Sequence, residues 1–247
     1  MRRVRDWVFT VPFLLTFGVI LVVYDVVGRL VRPFSLRGFE YVMAALQRTL
    51  MNSFRICGTR IVVERSPDVR PRTGYAIISN HQSMFDIVLI GGLLFTNFPK
   101  YVAKRELGRW LPSISLNLRH GGNVLIDRTD RIQAVRVITD MAGTAQERNV
   151  SVAIFPEGTR SRDGRLQKFR RAGSRALLDG ADRLPVLPVA IDGAWMLLRH
   201  NLRPVPFGTT VRIRFGDPIP RSPGDSAEVA ARAEAWIAAT LSGWHSS

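Results

Sequence analysis

The apolar positions change period along the chain, and that change divides it. Residues 7–24 carry no charge over 18 positions and as a helix would extend about 27 Å, close to the thickness of a bilayer core. Arg2, Arg3 and Arg5 precede this run, Pro12 is a site for a kink, and Asp25, Arg29 and Arg32 close it. No small-x-small cleavage pattern follows, so the segment is expected to stay on the mature protein. Beyond a break at Pro33, the residues Phe39, Val42, Met43, Leu46, Leu50 and Phe54 recur at helical spacing, with Glu40, Gln47, Arg48, Asn52 and Arg55 between them. This spacing predicts an amphipathic helix, which either packs on a core or lies in a membrane interface. Beside an apolar helix, and with nine arginines to three acids over residues 1–60, the interface is the expectation.

From residue 59 onward, short β-branched runs at 60–64, 75–79, 100–103, 123–126, 151–155, 186–191 and 210–215 alternate with helical patterns at 84–95, 132–147, 172–181 and 227–241. The alternation predicts an α/β architecture: a mixed, largely parallel sheet of about seven strands flanked by helices. An N-terminal two-helix membrane-associated motif over residues 1–58 would precede this domain, which occupies residues 59–247. No internal repeat is present, and the loop-rich stretches 66–73 and 201–209 are too short to divide it further.

Composition narrows the class without deciding the function. At 247 residues, 46% hydrophobic and 22% charged, the chain is neither disordered nor fibrous. Cys57 is its only cysteine, which excludes an intramolecular disulfide. The 35 basic and 20 acidic side chains leave a net charge of +15, and only Lys100, Lys104 and Lys168 are lysines. Guanidinium groups therefore carry the charge, and they match phosphate. Nucleic acid, anionic lipid headgroups and phosphorylated small molecules all fit, while a genome rich in G and C would raise arginine for no functional reason. The glycine-rich nucleotide motifs and the G-x-S-x-G elbow are missing, and one cysteine with the widely separated His81, His120, His200 and His245 shows no zinc-ligand spacing. No metal and no resident cofactor are expected.

Three constellations carry candidate chemistry. The first is Asn80-His81-Gln82-Ser83-Met84-Phe85-Asp86, between an apolar strand and an apolar helix. With His81 in the turn before the helix, Asp86 can reach one imidazole nitrogen, fix the tautomer and leave the other nitrogen free to take a proton. The same residues fit a capping box from Ser83 to Asp86, in which Asp86 only closes the first turn. The second is Phe155-Pro156-Glu157-Gly158-Thr159-Arg160-Ser161. Glu157, Thr159 and Arg160 are expected at the sheet rim, where α/β folds bind ligands; the bland reading is a polar turn before a solvated run of Arg162, Arg165, Lys168, Arg170 and Arg171. In the third, Lys104 and Arg128 each stand just beyond a short strand, placed either to share a phosphate or to form salt bridges.

In this order the residues resemble the glycerolipid acyltransferase family, most closely its bacterial 1-acylglycerol-3-phosphate branch. The resemblance spans residues 59–191. N-H-x-x-x-x-D matches Asn80, His81 and Asp86, and G-x-x-F-I-D-R matches Gly122, Ile126, Asp127 and Arg128, with Leu125 in place of phenylalanine. F-P-E-G-T-R-S is complete from Phe155 to Ser161, and a hydrophobic run with an embedded proline matches Val186-Leu187-Pro188-Val189. The resemblance implies transfer of a fatty acyl group from acyl-CoA or acyl carrier protein to the sn-2 hydroxyl of lysophosphatidic acid, giving phosphatidic acid. His81 would be the general base and Asp86 its orienting partner. Glu157, Gly158, Thr159, Arg160 and Arg128 would bind the acceptor, with Lys104 a further candidate. Membrane lipids are the implied partners, not nucleic acid, and the implied location is the inner membrane with the active site on its cytoplasmic side. Other acceptors, such as glycerol-3-phosphate or a lyso-aminolipid, are the alternative within the family; a non-catalytic anionic-membrane-binding protein is the alternative outside it. His120, near the phosphate-site segment in sequence, has a structural or acceptor-binding role in this reading.

Overall fold

Seven strands form one sheet: β1 (Arg60–Arg65), β2 (Ala76–Ser79), β3 (Lys100–Lys104), β4 (Val124–Ile126), β5 (Val152–Ile154), β6 (Val186–Asp192) and β7 (Thr210–Phe215), in the order β1-β7-β6-β2-β5-β3-β4. A computed structural model describes residues 2–109, 111–127 and 130–246. The five strands β6, β2, β5, β3 and β4 are mutually parallel, β7 runs antiparallel to β6, and β1 is parallel to β7. Parallel neighbours need crossovers, and the chain supplies α3 (Asp86–Leu93), α4 (Ile114–His120), α5 (Arg131–Glu147) and α6 (Arg171–Gly180), with α7 (Ser226–His245) closing the chain. The consequence for function is that β6, β2, β5, β3 and β4 all present their C-terminal ends at one edge.

Period-2 alternation explains why the central strands read as unbroken apolar runs. Ala76, Ile78, Val152, Ile154, Val186 and Ala190 face one core, packed by α5, α6 and α7. The intervening Ile77, Ala153, Leu187, Val189 and Ile191 face the other, where Phe13, Phe54, Phe85, Leu89 and Ile90 cover them. Both faces are dry, so polar side chains concentrate at the strand ends.

Two N-terminal helices precede the sheet as expected, and the second departs from expectation in where its apolar face lies. The first, α1 (Arg2–Val31), continues through Pro12 and is longer than the uncharged run. The second, α2 (Leu36–Ser53), starts where Ser35 Oγ accepts the Gly38 N–H at 2.9 Å. Its apolar stripe does not lie in a membrane interface: Phe39, Met43, Leu46 and Leu50 are buried against α1 and Leu116. Its polar face is also engaged, because Glu40, only 3% exposed, accepts from Lys100 Nζ at 2.6 Å and from an Arg148 guanidinium nitrogen at 2.9 Å. Burial lowers the Lys100 pKa against the opposing pull of Glu40. Gly91 lets α3 pack closely on α2, since a Cβ there would fall 1.4 Å from Gln47 Oε1. The amphipathic pattern is thus satisfied by the core, as it is for most such helices.

Most of the apolar surface left uncovered belongs to α1 and the turn after it. Val8, Leu15, Val22, Leu30 and Phe34 are all exposed. The opposite side of α1 is docked along its whole length: Asp6 accepts the Phe207 N–H, Thr10 Oγ1 accepts the Val205 N–H, Phe13 and Phe17 stack into the core, and Asp25 accepts the Ser113 N–H. Sequence patterning gave no helix for α4, whose seven residues offer too few turns to establish a period.

Candidate active site

The site begins where β2 ends. Asn80 continues the strand with its side chain instead of its backbone, donating from Nδ2 to the Ile191 carbonyl and accepting the Ile191 N–H at Oδ1, both at 2.8 Å. This double bond pins the next residue, His81, at the edge of the sheet. His81 stacks on Phe155 with ring centroids 4.2 Å apart and an interplanar angle of 18°. Its Nδ1 lies 2.8 Å from Asp86 Oδ2. Asp86 has no solvent exposure, and the His81 side chain is 15% exposed. With the carboxylate as acceptor, Nδ1 carries the hydrogen and Nε2 presents its lone pair outward.

Asp86 performs both roles that its position in the sequence allowed. Its Oδ2 also accepts the Gln82 N–H at 2.7 Å and the Ser83 N–H at 2.8 Å, so one oxygen folds the turn and orients the imidazole. The Ser83 half of the capping box is displaced by one residue, with Ser83 Oγ accepting from Phe85 N–H at 3.2 Å. Accordingly α3 starts at Asp86 rather than Met84.

The loop after β5 folds against this turn. Gly158 sits at φ +69° and its N–H closes the turn on the Phe155 carbonyl, a conformation that glycine adopts without strain. Glu157 is inside rather than at the rim, 2% exposed. Its Oε1 accepts the His81 N–H at 2.6 Å and its Oε2 the Gln167 N–H at 3.0 Å. Two backbone donors have drawn the carboxylate in, so it joins two loops and is not open to an acceptor. Burial pushes its pKa up to about 7, opposed by those two donors and reinforced by the charge of Asp86. The Ser161 N–H donates to the His81 carbonyl at 2.7 Å, a second tie between the loops.

Thr159 and Arg160 are exposed as expected. The Thr159 hydroxyl bonds Gln167 Oε1 at 2.9 Å, whereas the Arg160 guanidinium has no carboxylate partner among the described residues. Lys104 is exposed at the C-terminal end of β3, in register with Ile126 of β4. Arg128 lies outside the described residues. The parallel strands therefore gather His81, the 157–160 loop and Lys104 at one edge, whereas His120 is elsewhere. It precedes β4, at the opposite edge, where Arg32 of the turn after α1 reaches its Nδ1 at 3.2 Å. Burial and the charges of Arg32, Arg119 and Arg29 lower its pKa. Cys57 offers no alternative nucleophile, because it is buried and its thiol is pushed up to about 11, chiefly by burial. The roles of Asn80, Gln82 and Phe155 were not legible in the sequence, where only adjacency to His81 and Glu157 marks them.

The α/β domain holds an imidazole–carboxylate pair beside a cationic loop at the C-terminal edge of parallel strands, an arrangement that can serve general-base chemistry. The profile of the Acyltransferase family matches residues 60–192, more than half of the chain, and the chain belongs to that family. A 1-acyl-sn-glycerol-3-phosphate acyltransferase of Cocos nucifera is 33% identical over 170 residues, covering 66% of this chain and 51% of the relative. The protein of that name from Escherichia coli (strain K12) is 28% identical over 134 residues, 54% of this chain and 53% of its own. The chain spans about half the length of the curated relatives it matches. The crystal structure of the 1-acyl-sn-glycerophosphate (LPA) acyltransferase PlsC from Thermotoga maritima shares the fold, with a TM-score of 0.80 at 23% identity over 100% of this chain and 99% of that one.

Proposed function

We propose that the protein transfers a fatty acyl group from a thioester donor, acyl-CoA or acyl carrier protein, to the free hydroxyl of 1-acylglycerol-3-phosphate, giving phosphatidic acid. The observation that carries this reading is the His81–Asp86 contact of 2.8 Å in a turn tied to the 155–161 loop. His81 Nε2 takes the hydroxyl proton as the oxygen attacks the thioester carbonyl, and Asp86 stabilises the imidazolium that forms. The tetrahedral intermediate then expels the thiolate, which recovers the proton from His81. A thiolate is a good leaving group, so no acyl-enzyme is required. No resident cofactor takes part.

Arg160, exposed and without a carboxylate partner among the described residues, binds the acceptor phosphate, with Lys104 as a further cation on that edge and Arg128, on its motif match alone, as another candidate. This favours a phosphate-bearing acceptor over a lyso-aminolipid. Membrane association follows from the exposed apolar side of α1, and the docked opposite side favours a helix lying in one leaflet. A spanning α1 would draw the polar contacts of Asp6, Thr10 and Asp25 into hydrocarbon. Family membership and this membrane-facing helix support the cytoplasmic face of the inner membrane as the site of the reaction.

The test is thiol release by the purified protein in detergent, with palmitoyl-CoA and lysophosphatidic acid, glycerol-3-phosphate or no acceptor. Release is expected to need both lysophosphatidic acid and His81, so His81→Ala is silent. Release that persists in His81→Ala would refute the base assignment, and equal stimulation by glycerol-3-phosphate would refute the acceptor.

A further inference from the structure

Directly beside the general base lies a side chain that neither the motif comparison nor the reaction accounts for. Gln82 is 2% exposed, and its amide is used completely. Nε2 donates to the Gly164 carbonyl at 3.1 Å and to Asp192 Oδ1 at 3.2 Å, while Oε1 accepts the Ala194 N–H at 3.1 Å. Its backbone N–H is one of the three donors on Asp86 Oδ2. A single residue therefore touches the catalytic carboxylate four positions on, and the cationic loop and the end of β6, which lie 82 to 112 positions away in the chain.

The loop it holds is the one that carries Arg160, the proposed phosphate ligand. Gly164 stands at φ +84°, and a Cβ there would fall 2.5 Å from Trp195 Nε1, so the loop's apex presses on the same turn that Gln82 grips through Ala194. Arg160 directly precedes Ser161, whose N–H is tied to the His81 carbonyl, and the Gly164 anchor fixes the far side of the same loop three residues further on. Asp192 is braced in turn, its Oδ2 lying 3.3 Å from His245 Nε2 at the end of α7. An alkyl chain would fill the same space; an amide with two donors and one acceptor all satisfied specifies relative position as well as packing.

We propose that Gln82 is a positioning residue for acyl transfer, setting the distance between His81 and the cationic loop that holds the acceptor phosphate. This inference rests on the acyl-transfer reading for its kinetic consequence, and on geometry alone for the clamp itself. Removing the clamp lets the loop drift from the base, and a displacement near 1 Å at a reacting pair costs on the order of 10²-fold in rate.

The test uses the full-length protein in detergent with Gln82→Met, which keeps length and removes the amide. Hydrogen exchange across residues 161–167 is expected to accelerate at least about tenfold while α5 is unchanged, and the KM for lysophosphatidic acid to rise about tenfold. Unchanged exchange in that segment, or a KM at the wild-type value whatever the kcat or melting temperature, overturns the proposal. Should Gln82→Met fail to fold, Gln82→Glu takes its place: Oε1 can still accept the Ala194 N–H, but no hydrogen is left for the Gly164 carbonyl. Exchange across residues 161–167 and KM are then expected to rise as for Gln82→Met, and wild-type values of either overturn the clamp. A wild-type protein without acceptor-dependent thiol release defeats the acyl-transfer reading instead, and the exchange measurement still decides whether Gln82 holds the loop.

Discussion

Asp86→Asn separates turn building from catalysis. In the wild type one oxygen of a fully buried carboxylate accepts from His81 Nδ1, Gln82 N and Ser83 N at 2.7 to 2.8 Å, and the other oxygen, Oδ1, has no hydrogen-bond partner among the described residues. An asparagine that keeps its oxygen on the three donors weakens each from charge-assisted to neutral, about 1 kcal/mol apiece. Its NH2 then occupies the Oδ1 position, where no acceptor waits, adding roughly 1–3 kcal/mol for a buried unsatisfied donor. The sum, about 4–6 kcal/mol, corresponds to a melting temperature roughly 10–20 °C lower for a chain of this size. His81→Ala leaves both backbone donors on Asp86 and gives up one hydrogen bond and one ring stack, about 2 kcal/mol. Asp86→Asn should thus be the less stable of the two variants while retaining more activity, since it keeps the base but not the charge behind it; its kcat should fall by about 10²–10⁴. Thermal unfolding in detergent and thiol release read the two quantities. A variant that melts with the wild type, or that unfolds less readily than His81→Ala, would refute the triple-acceptor account of Asp86.

Arg160→Ala should raise the KM for lysophosphatidic acid by about tenfold or more with a smaller change in kcat, because a charge-assisted phosphate contact is worth roughly 1.5–3 kcal/mol; steady-state kinetics over acceptor concentration checks it. Burial raises Glu157 from its usual 4.5 to about 7, so the folded protein keeps this proton where the unfolded chain has lost it. The stability it contributes is complete below the unfolded value and disappears as pH rises through the folded one. Melting temperatures of wild type against Glu157→Gln should therefore shift in favour of the variant between about pH 5 and pH 8, and a constant difference would contradict the raised pKa. Val8→Glu, Leu15→Glu and Val22→Glu together place three charges on the exposed side of α1. Sedimentation with phospholipid vesicles should fall at least about 100-fold, given roughly 1.5–3 kcal/mol per apolar side chain, and full retention on vesicles would show that this face does not meet lipid.

Local chemistry settled a large share of this molecule before any tertiary contact was considered. The switch from helical spacing to short β-branched runs at residue 59 located the sheet, because strands buried on both faces are apolar on both, as β5 is throughout and β2 and β6 are up to their terminal Ser79 and Asp192. The turn from Asn80 to Asp86 placed the histidine and the carboxylate within reach, because a strand-to-helix junction fixes both ends of a five-residue span. Tertiary structure decided what pattern alone leaves degenerate. An amphipathic stripe on α2 suits lipid and core equally, and only the partners of Phe39 and Glu40 assign it to the core. Glu157 and Arg160 stand three residues apart in one polar loop, yet a backbone donor from distant His81 and another from Gln167 further along the loop pull the first inside and leave the second exposed. Gln82 shows the same limit most sharply, since its three partners lie up to 112 residues away. Burial and long-range hydrogen bonding belong to the folded chain as a whole, whereas periodicity and capping act within a few residues.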